Sequence, residues 1–177
     1  MTFQPLRVLA LISLALPTAS TAARAQTLDD AAIAHIAVTA NQLDVVGAEQ
    51  ALERSTDPGV RAFAETMIRD HRGVIEQAAA LAEKLGVTPA DNDTSRGLTT
   101  AAEEIRRDLD DLRGAAFDRA YIDNEVAYHE TVIGAVEETL IPHTSNAELR
   151  SLLEAVVPAL KAHLEHARRL RSELARP

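Results

Sequence analysis

The sequence has 177 residues, a formal charge of −9 and no cysteine. The absence of cysteine excludes a disulfide framework, thiolate metal ligands and a lipoprotein attachment site. The acidic balance argues against nucleic acid and anionic lipid as partners. The length is typical of one domain.

The first 25 residues have the pattern of a secretory signal peptide. A short positive region that includes Arg7 precedes an apolar run over residues 8–16, which is too short to cross a bilayer. Small residues follow, and residues 23–25 (Ala-Arg-Ala) match an A-x-A cleavage site. We therefore expect cleavage between Ala25 and Gln26.

Export has consequences for charge and location. Cleavage removes Arg7 and Arg24 and no acidic residue, so the formal charge would move from −9 to −11. No later apolar run is long enough for a membrane helix. We expect residues 26–177 to form one periplasmic or secreted domain without a transmembrane segment. The sequence does not identify a partner, and another copy of the chain and an envelope protein are the candidates.

The first two helices have clear end signals. Asp29 is a good N-cap for a helix that runs to Arg54. Asp57 can cap the second helix with Pro58 in its first turn, and Gly86 is a natural stop after Leu85.

The second half of the chain predicts three more helices. Residues 87–97 indicate a polar loop, followed by a shorter helix over 98–113 and a long helix over 115–140. The last helix should run to residue 174, with Ser145 and Glu148 at capping-box spacing. These elements predict an all-α, antiparallel, ferritin-like four-helix bundle with a short extra helix before the third long helix. Pro158 inside the last helix should kink it.

Ionisable residues lie on the apolar stripes of these helices. His71, His129 and His163 each fall inside the stripe of a different helix. The other polar residues on or beside the stripes are Asp44, Asp70, Asp118, Tyr121, Glu125 and His166. A buried ionisable group without a partner costs several kcal/mol, so these side chains must meet partners.

Two arrangements would satisfy these groups. The histidines and carboxylates can bond one another as a structural polar layer. Alternatively, they can bind a divalent transition metal, because imidazole suits Zn, Cu, Fe and Ni. The candidate ligands are then His71, His129, His163 and Glu125, with Asp44 or Asp70 as further ligands or their hydrogen-bond partners.

A standard di-iron oxidase centre is not expected. Such bundles carry Glu-x-x-His on two helices. The residues three positions before the inward histidines are Ile68, Val126 and Leu160.

Several segments together resemble a known family. These segments are residues 60–71 with Asp70-His71, residues 117–122, His129, and Pro158-Ala159-Leu160-Lys161-Ala162-His163-Leu164. They are similar to the bacterial exported domain-of-unknown-function family 4142, whose members are often labelled outer membrane proteins.

The resemblance implies a ferritin-like bundle and export, and no established activity. The family's motif positions map onto Asp70, His71, Asp118, His129 and His163. The family usually has Glu in the first helix where this chain has Asp44, which shortens the reach of that side chain.

Three functions stay open at this point. The first is an exported bundle that binds a divalent metal in its core. The second is a non-enzymatic envelope protein for stress tolerance or partner binding, with structural histidines. The third is a metal-dependent oxidase or peroxide-handling enzyme.

Overall fold

The computed structural model describes residues 28–176. The expected signal peptide and its cleavage site lie outside this range. The described residues are almost entirely helical and contain no strand. The elements are α1 (Asp30–Arg54), α2 (Pro58–Leu85), α3 (Asp93–Asp110), α4 (Gly114–Ala135), a π-helical turn (Val136–Leu140), α5 (Ile141–His143) and α6 (Ala147–Leu174).

The ends of α1 and α2 follow from local capping. The Asp29 carboxylate accepts a hydrogen bond from the backbone N–H of Ala32 at 2.8 Å. The Asp57 carboxylate accepts from the second and third residues of α2. Gly86 ends α2 with φ of 63°, a left-handed conformation that glycine adopts without strain. The sequence-based bounds of both helices are confirmed.

Helix α3 begins five residues earlier than expected, at Asp93 rather than Leu98. Asn92 and Ser95 form a reciprocal capping box, in which each side chain accepts from the other residue's backbone N–H. The cluster of Asn and Asp in this segment is typical of a loop, but here it starts a helix. The prediction of a loop up to residue 97 was therefore wrong.

The start of α6 also differs from expectation. Asn146, not Ser145, is the N-cap, and its side-chain oxygen accepts from Glu148 and Leu149 N–H at 2.9 and 3.0 Å. The backbone N–H groups of Ser145 and Asn146 instead donate to the Asp30 carboxylate of α1. Helix α6 then continues through Pro158 to Leu174.

The four long helices form the predicted bundle. Helices α1 and α2 pack along each other, as do α4 and α6, and the two pairs meet through α1–α4 and α2–α6 contacts. Helix α3 packs mainly on α1. The core is aliphatic with three large aromatic side chains, Phe63, Phe117 and Tyr121, that are fully buried. None of the helices within residues 28–176 has an apolar stretch that could cross a membrane.

Candidate metal centre

Three histidines from three helices converge in the core. His71 of α2, His129 of α4 and His163 of α6 are 3%, 1% and 6% exposed. Their ring centroids lie 5.3 to 5.8 Å apart. One ring nitrogen from each lies within 4.8 Å of the other two. The rings therefore occupy the same depth of the bundle.

The proton on His71 is placed by a chain of hydrogen bonds that starts on α1. The Asn41 amide nitrogen donates to the Ala37 carbonyl at 2.8 Å, which orients the amide group. The Asn41 oxygen therefore faces Nδ1 of His71, at 2.7 Å. Because this oxygen can only accept, Nδ1 carries the proton and Nε2 keeps a free lone pair.

His129 has the same arrangement. Its Nδ1 lies 2.9 Å from the backbone carbonyl of Glu125, one helical turn earlier. A carbonyl accepts only, so Nδ1 donates and Nε2 is unprotonated. This Nε2 is buried and has no hydrogen-bond partner.

His163 is oriented by a carboxylate. Its Nε2 donates to Oδ2 of Asp70 at 3.0 Å. Partial burial raises the pKa of Asp70, but hydrogen bonds from His163 and Arg69 outweigh this and lower it overall, so the carboxylate is ionised. Nδ1 of His163 is thus left buried without a partner.

Asp44 of α1 completes this set of side chains. Its carboxylate is buried, and neither oxygen has a hydrogen-bond partner. Oδ2 lies 3.2 Å from Nε2 of His71 and 3.7 Å from Nε2 of His129. Lone pairs face one another across these distances, an arrangement that needs a proton or a metal cation between them.

The electrostatics of the site agree with this geometry. Burial and the neighbouring imidazoles lower the pKa of His71 to about 3, and burial lowers the pKa of His129 to about 4. Burial raises the pKa of Asp44 to about 7. Near neutral pH both imidazoles are therefore neutral, which is the form that binds metals.

A second acidic group flanks the histidines. Glu125 is 2% exposed, and its Oε2 lies 3.6 Å from Nδ1 of His129. With Asp44 and His129 it forms another cluster whose ligand atoms lie within 4.8 Å of one another. Burial and the charge of Asp44 raise the pKa of Glu125 well above its usual value. Burial and the same two carboxylates also raise the pKa of Tyr121.

Two of the sequence candidates lie away from this centre. Asp118 is buried on α4, eleven residues before His129, which corresponds to roughly 16 Å along the helix axis. His166 packs edge-on against Phe63, with ring centroids 5.2 Å apart. Neither side chain belongs to a cluster of candidate ligands among the described residues.

Sequence reasoning missed Asn41 and the burial of Asp44. Asn41 is one turn before Asp44 on α1, so the spacing alone could have drawn attention to it. Asp44 was expected at the edge of the apolar stripe but is 4% exposed. Helix α1 contacts α2, α3 and α4, so little of its circumference faces solvent.

Comparison with known proteins agrees with the resemblance seen in the sequence. A family model described as "Domain of unknown function (DUF4142)" matches residues 15–170. The chain belongs to this family. No curated protein matches this chain.

One solved structure has a similar fold. It is described as "CopM in the Cu(II)-bound form" and aligns with a TM-score of 0.60, 18% sequence identity, and coverage of 82% of this chain and 98% of the other. At this identity the similarity shows that the two proteins share a fold.

Proposed function

We propose that this DUF4142 protein binds one divalent transition-metal ion in its core, through His71, His129, His163 and Asp44. The observation that carries the proposal is the set of unpaired donor atoms. Three ring nitrogens and both Asp44 oxygens are buried without hydrogen-bond partners, and Oδ2 of Asp44 lies 3.2 and 3.7 Å from Nε2 of His71 and His129. Each such group left unpaired costs about 1–3 kcal/mol, and a bound cation would supply a partner for these donor atoms.

The outer contacts support a metal rather than a structural polar layer. In a polar layer each imidazole would donate to one neighbour and accept from another. Here each ring donates outward, to Asn41, to the Glu125 carbonyl or to Asp70, and its other nitrogen is buried without a hydrogen-bond partner. Metal-bound histidines commonly have this second hydrogen bond, which fixes the tautomer and the ring orientation.

The donor set favours copper(II) or zinc(II). Neutral imidazole suits Zn, Cu, Fe and Ni, and copper(II) forms the most stable complexes of the divalent first-row series. The structural neighbour described in its Cu(II)-bound form makes copper(II) the first ion to test. No thiolate is available to favour a soft ion, because the chain has no cysteine.

The proposed role is metal sequestration rather than catalysis, in the periplasm or after secretion. Three histidines and one aspartate supply four protein ligands, which is the number in closed structural zinc sites. Catalytic sites keep a coordination position open for water or substrate. The absence of Glu-x-x-His also argues against a di-iron oxidase.

Equilibrium dialysis of the untagged protein lacking residues 1–25 tests this function. We expect about one equivalent of copper(II) or zinc(II) per chain, and a loss of this binding in His129→Ala. His143→Ala is the matched control, because His143 is exposed and bonds only the Thr139 carbonyl of its own helical segment. Circular dichroism checks that both variants fold.

Two results would refute the proposal. One is less than about a tenth of an equivalent of either metal after reconstitution, since a preorganised four-ligand site binds such ions tightly. The other is unchanged stoichiometry and affinity in a folded His129→Ala protein.

A further inference from the structure

An apolar cavity adjoins the metal centre on one side. Its volume is about 390 Å³, and it is surrounded by α1, α2, α6, the first turns of α3 and the C-terminal half of α4 with its π turn. His71 and His163 line its inner end. Along α2 the lining continues to Leu85, fourteen residues and roughly 21 Å beyond His71. The cavity is therefore elongated along the bundle.

The cavity exists because α2 is incompletely packed beyond His71. Val74, Ala78 and Leu81 continue the inward stripe, yet each is only partly buried. The fully buried residues of α2 all lie at or before His71. The apolar stripe of α2 predicted a continuous core, but over the last four turns of this helix it lines an open space.

The lining has a distinct chemical character. It is mostly aliphatic, and Tyr128 is its only aromatic ring apart from the two imidazoles, among the described residues. Its charged residues are Asp30 and Asp70, with no lysine or arginine from the described part of the chain. The carboxylates of both are already hydrogen-bonded within the protein.

We propose that this cavity binds an uncharged, linear aliphatic molecule. Its volume falls in the usual range of small-molecule sites, which are concave and mostly apolar. The elongated shape fits an extended chain, and the acidic lining disfavours an anionic head group. The proposal does not rest on metal binding, because the apolar walls continue along the bundle beyond the two histidines that line the cavity.

The recessed position of the cavity favours a small molecule over a protein as its occupant. The lining comes from five helices and the π-helical turn rather than from the outer face of one helix. A second copy of the chain would need a protruding apolar segment to enter it. The only large exposed hydrophobic residue among those described is Ile105 of α3, which is 37% exposed.

A tryptophan reporter tests occupancy directly. The chain has no tryptophan, so Leu81→Trp places a single fluorophore on the cavity wall and Ala80→Trp places one on the exposed side of the same helix. We expect decanol to shift the emission of Leu81→Trp to the blue in a saturable manner and to leave Ala80→Trp unchanged. Decanoate at pH 8 should bind at least about tenfold more weakly than decanol.

A blocking variant gives an independent readout. Ala78→Phe fills the cavity, and Ala80→Phe adds the same side chain outside it. We expect Ala78→Phe to lower the affinity for decanol, the uncharged probe, about tenfold or more in calorimetry, through loss of apolar contact, and Ala80→Phe to leave it unchanged. Melting curves confirm that both variants fold.

The proposal is overturned if decanol shifts both tryptophan variants equally, or if decanoate binds as tightly as decanol. Equal probe affinity in folded Ala78→Phe and wild type would also overturn it. So would concentration-dependent dimerisation that abolishes probe binding, because the cavity would then be an interface between copies of the chain. Loss of metal binding in His129→Ala with unchanged decanol binding separates this site from the metal centre.

Discussion

At the scale of single residues, the outer hydrogen bonds of the imidazoles matter as much as the candidate ligands. Asn41 determines which nitrogen of His71 is free, because its amide is oriented by the Ala37 carbonyl. Without this acceptor, His71 could place its proton on either nitrogen, and part of the population would present an N–H to the metal.

We therefore expect Asn41→Leu to weaken metal binding by about 10–100-fold without changing the stoichiometry at saturation. Asn41→Asp keeps an acceptor and should retain most of the affinity. Gln42→Leu, at an exposed neighbouring position, is the control. Competition with a chelator of known affinity measures the effect. Equal affinities of the Leu variant and wild type would show that Asn41 does not orient the ring.

Asp44 gives the site a pH dependence with a definite sign. Burial raises the pKa of its carboxyl to about 7, whereas the pKa values of His71 and His129 are lowered to about 3 and about 4. At pH 6 the free protein thus holds a proton on Asp44 and none on these two imidazoles. Metal must displace that proton, so affinity should fall as the pH drops below about 7.

Calorimetry at pH 6 in buffers of different ionisation enthalpy counts this proton. We expect wild type to release about one proton more per metal ion than Asp44→Asn, and the remaining affinity of the variant to depend less on pH. Equal release from both proteins would exclude Asp44 as its source.

The sequence predicted the identity of most candidate ligands but not their arrangement. Helical periodicity placed His71, His129 and His163 inward, because each lies on an apolar stripe. Their common depth depends on how far each helix slides along its neighbours. The periodicity of one helix carries no information about how far that helix slides along its neighbours.

At the scale of helices, local sequence signals predict a helix end correctly where only one residue can fill the capping position. Asp57 before Pro58 and Gly86 after Leu85 leave little choice of end points for α2. At the start of α6, Ser145 and Asn146 are both good N-caps. The choice between them depends on Asp30 of α1, which is far away in the sequence. Its carboxylate accepts hydrogen bonds from the backbone N–H groups of both residues.

Capping of α6 can be tested by a pair of substitutions. Asn146→Ala should lower the free energy of unfolding by about 1 kcal/mol, because two N–H groups at the start of α6 lose their acceptor. Ser145→Ala should have a much smaller effect, since Ser145 contributes its backbone N–H, which alanine keeps. Urea denaturation of the metal-free proteins measures both. A larger loss of unfolding free energy in Ser145→Ala than in Asn146→Ala would show that Ser145 is the N-cap, as the sequence predicted.

At the scale of the whole molecule, the bundle brings together groups that are far apart in the chain. The fold class follows from helix lengths and short connections, and was predicted correctly. The cavity beyond His71 was not, because an apolar stripe indicates which side of a helix faces inward and not how closely the other helices approach it. Tight packing at the level of Phe63 and Tyr121 contrasts with the open space lined by Ala78 and Leu81.

X-ray absorption spectroscopy of the zinc-loaded protein tests the metal centre most directly. Scattering from imidazole rings counts the histidine ligands, and we expect three histidines and one oxygen ligand at about 2.0–2.1 Å. His143→Ala should give the same spectrum, and His163→Ala should lose one imidazole. A wild-type spectrum with two or fewer imidazoles, or one that is unchanged in His163→Ala, would contradict the proposed centre.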